Sequence, residues 1–421
     1  MCRQRNCAAL CPGSKSQIIV DSLRPRPLRF EGSIRRRAAT AGSYRSAAGR
    51  AKPRDPRLDA RAGPRYTAPP RAEALSLLFR SVRLASIAHW VPERAVSSLE
   101  LEERLAPLYR RLRLHAGRLE LMTGIRERRF FDPGTLPSTI AASAGERALE
   151  ASGVARERIG CLIHAAVCRD ALEPATASFV HERLGLPESC LAFDLSNACL
   201  GFANALAVAG GMIERGEIEA ALIVAGEEGG PLVEATIAAL LADPSVGKAE
   251  LKSAFASLTI GSGAAAAVLA RAEDGEGGAR LLGGVALADT SRSDLCRGEH
   301  QASLGAPLMR TDSEALLNAG CALAARTWRA FLEELGWSAS EVERVITHQV
   351  GAAHRRMLLA TLEIDPARDF PTYERFGNVG SVSLPLSHSL AMEAGFLQAG
   401  NRVAWLGIGS GLHCQMLALR V

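Results

Sequence analysis

The sequence predicts an α/β protein with covered sheets, built as two halves of similar element order. Two patterns carry that prediction. Helical periods alternate with short runs that are apolar on both faces, as strands buried between helix layers are. The same alternation then runs a second time, and the two series meet near residue 273. A third observation bounds the folded part. Residues 1–75 hold 17 Lys+Arg against 5 Asp+Glu, whereas the remainder holds 33 against 40. The expected division is a leader at 1–75, a first half at 76–272 and a second half at 273–421.

The leader is basic, rich in Pro, Gly, Ala and Arg, and without helical or strand period, so it is expected to be disordered. Its charge suits nucleic acid or anionic lipid. The preferred reading is a dispensable extension or a misplaced start of translation, with no nucleic-acid partner. Arg35, Arg36 and Arg37 have no apolar segment behind them, which argues against an export signal. With 421 residues, 48% of them hydrophobic, the chain has ample material for a large core. No run approaches the length of a membrane span, so no integral membrane segment and a cytoplasmic protein are expected. Ten scattered cysteines, without the spacing of a disulfide framework, fit a reducing compartment.

Taken in order, residues 77–90 read as an opening strand and 97–118 as charged and helical. Residues 139–152 form a helix stopped by Gly153, 159–167 a buried strand, and 178–184 a helix. The run 190–195 is a strand that halts at Ser196 and Asn197. The helix after it carries Phe202, Leu206, Ala209 and Ile213 at three- and four-residue spacing, with small residues elsewhere, as a buried helix does. Residues 220–226 and 259–269 are further buried strands. The second half brings a strand at 281–287, a long helix at 314–335, and a strand at 344–350 feeding a helix at 352–362. A helix at 383–395 and a closing pair, 403–408 with 415–421, end the chain.

Cys199 lies at the turn between the 190–195 strand and the helix that follows. A helix N-terminus favours a thiolate and would lower the thiol from about 8.5. The bland alternative is a small buried hydrophobe. His348, at the end of the strand R-V-I-T-H, is by itself an ordinary structural histidine, and Asn378, in F-G-N-V-G, an ordinary turn residue. The loop G-I-G-S-G-L-H-C (407–414) offers backbone N–H groups that no side chain obstructs.

In sequence order, T-G-I-R-E-R-R (123–129), F-D-L-S-N-A-C-L-G-F (193–202), G-S-G-A-A-A-A-V-L (261–269), His348-Gln349, Gly377-Asn378 and the 407–414 loop resemble the thiolase superfamily in its ketoacyl-ACP synthase III branch. The resemblance covers about residues 77–421. It implies a thiolase-like, duplicated, five-layered αβαβα fold and an acyltransferase that runs a thioester Claisen condensation. It implies that Cys199 takes an acyl group, that His348 and Asn378 hold the enolate oxygen, and that the Cys199 and Ser410 backbone N–H groups hold the thioester oxygen. Gly409 and Gly411 flank Ser410 there. Fixed donors aimed at developing oxyanions are usually the largest catalytic contribution, and a covalent thioester splits one hard step into two. The implied partners are acyl-CoA, an acyl carrier protein and a second copy of the chain. No metal and no cofactor are implied beyond the CoA carried by the substrate.

Three departures from that branch matter. In C-R-D-A-L-E-P-A-T-A-S (168–178) an acid, Glu173, stands where the branch has an apolar residue. An acid on an apolar loop is costly unless it is solvated, paired or used. A solvated carboxylate, or one paired with Arg169, is the ordinary reading. R-D-x-L-E-P-x-T-A-S, L-C-R-G (295–298) and His-Gln-Val resemble instead the head-to-head acyl-CoA condensing enzymes of olefin biosynthesis. That resemblance implies that Glu173 reaches a partner subunit's site and removes an α-proton, which condensation without loss of CO₂ requires. The second departure is at the CoA mouth: Arg118 and Met122 precede T-G-I and no Trp does, so Arg118, Arg126 and Phe202 stand as the substrate-binding candidates. The third is Val350-Gly351, where the branch has Ala-Asn, which would widen the channel. Cys161, His164 and Cys168 lie along one strand and lack a fourth zinc ligand, and no phosphate-binding loop is present. The rival readings are a decarboxylative synthase using malonyl-ACP and a non-catalytic chain-length subunit. The presence of Cys199, His348 and Asn378 argues against the latter.

Overall fold

The expected first strand is two strands: β1 (Leu75–Leu78) and β2 (Val82–Trp90). The break falls where the backbone N–H groups of Arg80 and Ser81 donate to Glu214 Oε2, at 3.0 and 2.8 Å, instead of to a neighbouring strand. The computed structural model describes residues 74–273, 277–301 and 306–421, so the expected leader lies outside the described residues up to residue 73.

The charged segment 97–118 divides more finely than its period suggests. After β3 (Ala95–Ser97) come α1 (Ser98–Arg104), α2 (Ala106–Leu112) and α3 (Arg118–Thr123), followed by β4 (Glu127–Arg129). Arg113 and Gly117 turn left-handed between the last two helices, at φ 55° and 87°. Then α4 (Pro137–Ser152) ends on Gly153, and β5 (Ile159–His164), α5 (Thr176–Leu184), β6 (Leu191–Asp194) and α6 (Gly201–Glu214) follow close to expectation. The first half ends with β7 (Ala220–Glu227), α7 (Gly230–Ala242), α8 (Lys248–Leu258) and β8 (Gly263–Arg271).

The second half opens with β9 (Ala279–Ala288) and a hairpin, β10 (Cys296–Gln301) with β11 (Ala306–Thr311), before α9 (Ser313–Leu335). After these come β12 (Arg344–Thr347), α10 (Ala352–Thr361), α11 (Tyr373–Phe376), α12 (Ser383–Glu393), β13 (Arg402–Gly409) and β14 (His413–Arg420).

The strand order repeats. In the first half it runs β6-β5-β7-β8-β2, with the first two pairings parallel and the last two antiparallel. In the second it runs β12-β13-β14-β9, parallel and then twice antiparallel, and a single parallel bridge from Val345 to Asp369 stands where the fifth strand belongs. Two antiparallel residue pairs, Arg83 with Arg280 and Leu84 with Ala279, join the halves. Three apolar clusters fill the layers. One lies between α4, α5 and the outer face of the first half-sheet, and one between α9, α10 and the outer face of the second. The central cluster packs α6 and α12 between the inner faces of both. The sequence of layers is therefore helix, sheet, helix, sheet, helix, and the fold is thiolase-like. A fourth cluster holds α1, α2, α7 and α8 together at one side.

Candidate active site

The nucleophile candidate sits on a strained turn. β6 stops at Asp194, and α6 begins only at Gly201, so Cys199 precedes the helix rather than lying in its first turn. Ala198 holds a left-handed φ of 47°, a costly conformation for a residue with a Cβ. A chain of amides holds the turn: Asn197 Nδ2 donates to Asn204 Oδ1 at 2.7 Å, and Asn204 Nδ2 donates to Gln415 Oε1 on β14. The glycine loop closes over it from the same hairpin. A Cβ on Gly407 would fall 2.5 Å from Leu200 Cδ2, which is why that strand end carries no side chain.

The second half supplies two groups. His348 follows directly on β12, its backbone N–H donating to the Leu406 carbonyl at 3.1 Å. Gln349 is a clamp. Its amide donates to the Thr347 carbonyl while its oxygen accepts from the N–H groups of Thr372 and Tyr373. Asn378 is drawn against the end of α8, its N–H donating to the Thr259 carbonyl at 2.9 Å. Its Oδ1 accepts from the Gly380 N–H at 3.0 Å, so the Nδ2 donors are what Asn378 presents elsewhere. Gly377, at φ 67°, leaves room for that close approach.

Cys199, His348 and Asn378 line one cavity of about 610 Å³, together with Gly409 and Ser410. Its walls come from α7, α8, the 296–311 hairpin and the start of α9, with Phe255, Leu232, Leu308, Met309, Leu316 and Leu317 among them. None of these wall residues was read from the sequence. The spacing of Phe255, Ala256 and Thr259 along one helix face is the signal that marks them in retrospect.

The electrostatics reverse one expectation. Burial pushes the Cys199 thiol up to about 12, and the Glu227 carboxylate and the Cys296 thiol add to the push, while its own backbone N–H acts the other way. The helix-terminus argument fails because the sulfur is desolvated and stands outside the helix. Burial likewise holds His348 down to about 3, with His354 as a second, like-charged neighbour. The resting site is thus a neutral thiol and a neutral imidazole. Glu227, also on the cavity wall, accepts from the N–H groups of Val167 and Cys168 at 3.1 Å each, and from the Ser381 N–H and hydroxyl at 3.2 and 2.7 Å. It ties the loop after β5 to the segment after Asn378.

Other sequence candidates fall outside the cavity. Phe202 is fully buried in the central core with its ring 6.4 Å from that of Trp405, so it packs the fold and touches no substrate space. Its apolar periodicity belongs to the buried helix α6, as the spacing of Phe202, Leu206, Ala209 and Ile213 predicts. Arg118 and Arg126 are exposed and off the cavity wall, and Arg126 faces Glu374 at 3.9 Å. Met122 and Thr123 occupy the wall instead. Gly411 does not line the cavity, whereas its neighbour Leu412 does. Glu173 lies outside its own chain's cavity, on an exposed loop beside Leu172, which is 93% exposed, and it makes no ion pair with Arg169. Among the described residues, no three His, Cys, Asp or Glu side chains group to hold a metal, and no helix is long and apolar enough to cross a membrane.

Comparison with known proteins gives consistent results. Residues 193–289 match the family model of 3-oxoacyl-[acyl-carrier-protein] synthase III, and residues 332–421 match the model of its C-terminal part. The chain is 38% identical over 348 residues to the acyl-CoA:acyl-CoA alkyltransferase of Shewanella oneidensis, covering 81% of this chain and 99% of that protein. It is 39% identical over 340 residues to the protein of the same name from Xanthomonas campestris, covering 81% and 98%. A crystal structure of a cysteine-to-serine variant of Xanthomonas campestris OleA, with bound lauric acid and lauroyl-CoA, superposes with a TM-score of 0.77 at 39% identity, covering 82% of this chain and all of that one. The cerulenin-bound form of that enzyme gives a TM-score of 0.78 at 39% identity, covering 82% and 98%.

Proposed function

This chain belongs to the family of the acyl-CoA:acyl-CoA alkyltransferases, and we propose that it joins two fatty acyl-CoAs head to head through an acyl-Cys199 intermediate. One observation carries the reading: Cys199, His348 and Asn378 share a single cavity whose remaining walls are largely aliphatic, with the Phe255 ring among them.

In the first half-reaction the Cys199 sulfur attacks the acyl-CoA carbonyl, the carbon–sulfur bond to CoA breaks, and CoA leaves as the thiol. Because thiol and imidazole rest uncharged, the proton leaves the sulfur as the new bond forms, and His348 passes it to the departing CoA. The carbonyl oxygen is held by the backbone N–H groups of Cys199 and Ser410. In the second half-reaction a base removes the α-proton of another acyl-CoA. The enolate oxygen accepts from His348 and from Asn378 Nδ2, and the α-carbon attacks the acyl-Cys199 carbonyl, releasing the thiolate and a β-ketoacyl-CoA. Hydrolysis of that thioester gives the β-keto acid.

No CO₂ departs in this reaction, so a base is obligatory. We assign it to Glu173, acting in a second copy. Strand β6 is an outer strand of the main sheet and exposes Leu191 (53%) at its start, while the loop beyond the far end of the neighbouring β5 exposes Val167 and Leu172. An unpaired edge with exposed apolar side chains is a surface that pairing of two copies would cover. A homodimer joined there brings each Glu173 loop towards the neighbouring cavity. The repeated strand order supports treating 76–272 and 273–421 as duplicated halves.

Myristoyl-CoA supplied alone tests the reading. The expected result is CoA release and a β-keto product. Strict dependence on malonyl-ACP would instead make the enzyme a decarboxylative synthase. In Glu173→Gln, Cys199 still gains the acyl mass but no carbon–carbon bond forms.

A further inference from the structure

One wall of the cavity is a stripe of α8 continued by the two residues that follow it. Lys252, Phe255, Ala256, Thr259 and Ile260 all face it, at the i, i+3, i+4, i+7, i+8 spacing of one helix side. The inner end of the stripe is pinned to the reacting centre, because the Thr259 carbonyl accepts the Asn378 N–H. Its outer end is Lys252, whose side chain is 64% exposed and lies 3.9 Å from Glu314 in the first turn of α9. The facing helix has the same polarity: Ser313 is exposed, Leu316 and Leu317 are half-buried, and all three line the cavity. On both helices the cavity-lining residues nearest the Lys252–Glu314 pair are thus the most exposed ones. The hairpin closes the third side, with the Ser253 and Ser257 hydroxyls donating to the Thr311 and Met309 carbonyls.

We propose that the Lys252–Glu314 pair is the outer rim of an acyl channel and sets the chain length beyond which added methylenes win no further binding. The inference rests on the acyl-CoA reading above and adds to it the residues that end the channel. From Lys252 to Thr259 is about 10 Å of helix, enough for about eight extended methylenes past the amide of Asn378. Inside that span each methylene leaves water for the apolar wall of Phe255, Leu316 and Leu317 and gains about fourfold in binding. Past Lys252 the chain end meets an ammonium, a carboxylate and solvent, and the gain stops. The pair is exposed on both sides, so it holds no strong closure. It acts by denying apolar surface, not by blocking passage.

The test is the rate of Cys199 acylation, read by intact mass, for saturated acyl-CoAs from octanoyl to stearoyl at subsaturating concentration, in the wild type and in Lys252→Met. Methionine removes the charge at the cost of one chain atom and continues the apolar wall. The wild type is expected to show rising kcat/KM and then a plateau. In K252M the plateau moves out by at least one member of the even-numbered series. An identical break in both proteins, or no break at all, overturns the proposal. Failure of every acyl-CoA to label Cys199 would instead overturn the reading of the site itself.

Discussion

The ionisation of Cys199 is the most quantitative consequence of the structure. A thiol at about 8.5 is about one-tenth thiolate at pH 7.5, whereas one at about 12 is thiolate in only about three molecules per hundred thousand, roughly 3,000-fold less. A more basic thiolate is intrinsically a better nucleophile, and a Brønsted slope near 0.45 returns roughly 40-fold of that deficit. Alkylation of Cys199 by iodoacetamide at pH 7.5 is therefore expected to run on the order of a hundredfold slower than that of an exposed thiol. The profile is more telling than the rate. With His348 neutral above about 3 and the thiol protonated below about 12, nothing in the pair titrates between them. The logarithm of the alkylation rate should thus rise by one per pH unit through the alkaline range without levelling. Peptide mass spectrometry separates Cys199 from the other free cysteines, of which Cys161, Cys190, Cys321 and Cys414 are buried. A plateau below pH 9, or an inflection near 6.5, would show that the helix terminus or an ionised imidazole governs the sulfur and would refute the neutral-pair argument.

Three substitutions extend this reasoning. Glu227→Gln replaces an acceptor of four hydrogen bonds by an amide that can receive only some of them, so it should cost about 1–3 kcal/mol of stability. It also removes a negative neighbour of Cys199, so alkylation should quicken at fixed pH. Slower alkylation would contradict the charge assignment. Phe202→Ala should cost about 3–5 kcal/mol in denaturation while leaving the chain-length profile unchanged, as a core residue does. A shifted profile would return Phe202 to the substrate. Asn204→Ala strips partners from Asn197 and from the buried Gln415. About 1–3 kcal/mol of stability should be lost and Cys199 acylation slowed, measured by melting and by adduct formation; an unchanged acylation rate would show that the amide chain does not hold the turn.

The sequence made most of the sheet legible because fully buried strands leave continuous apolar runs, as 220–226 and 403–408 do. It was less informative where tertiary contacts decide. The break between β1 and β2 depends on Glu214, more than a hundred residues away. The segment at 97–118 carries one helical period, yet Pro107 and the left-handed Arg113 and Gly117 divide it. Cys199, His348 and Asn378 could be named one by one, but each alone was as well explained by packing or a turn. Only their order along the chain, through a family resemblance, linked them. The raised thiol was illegible because it comes from burial in the folded site and from Glu227, which the sequence did not single out. The channel wall was missed for a related reason: Phe255 and Leu316 read as ordinary apolar residues until the fold places both helices on one cavity.

The assignment of the base is tested most directly by mixing two inactive proteins. Cys199→Ala keeps Glu173 but cannot be acylated, and Glu173→Gln can be acylated but lacks the carboxylate. If each Glu173 serves the neighbouring cavity, subunit exchange between equal amounts creates dimers with one complete site. Since half of the dimers are mixed, about a quarter of wild-type condensation should return. A mixture as inert as its components, with exchange confirmed by mass, would contradict a shared active site and leave each Glu173 serving its own chain's cavity.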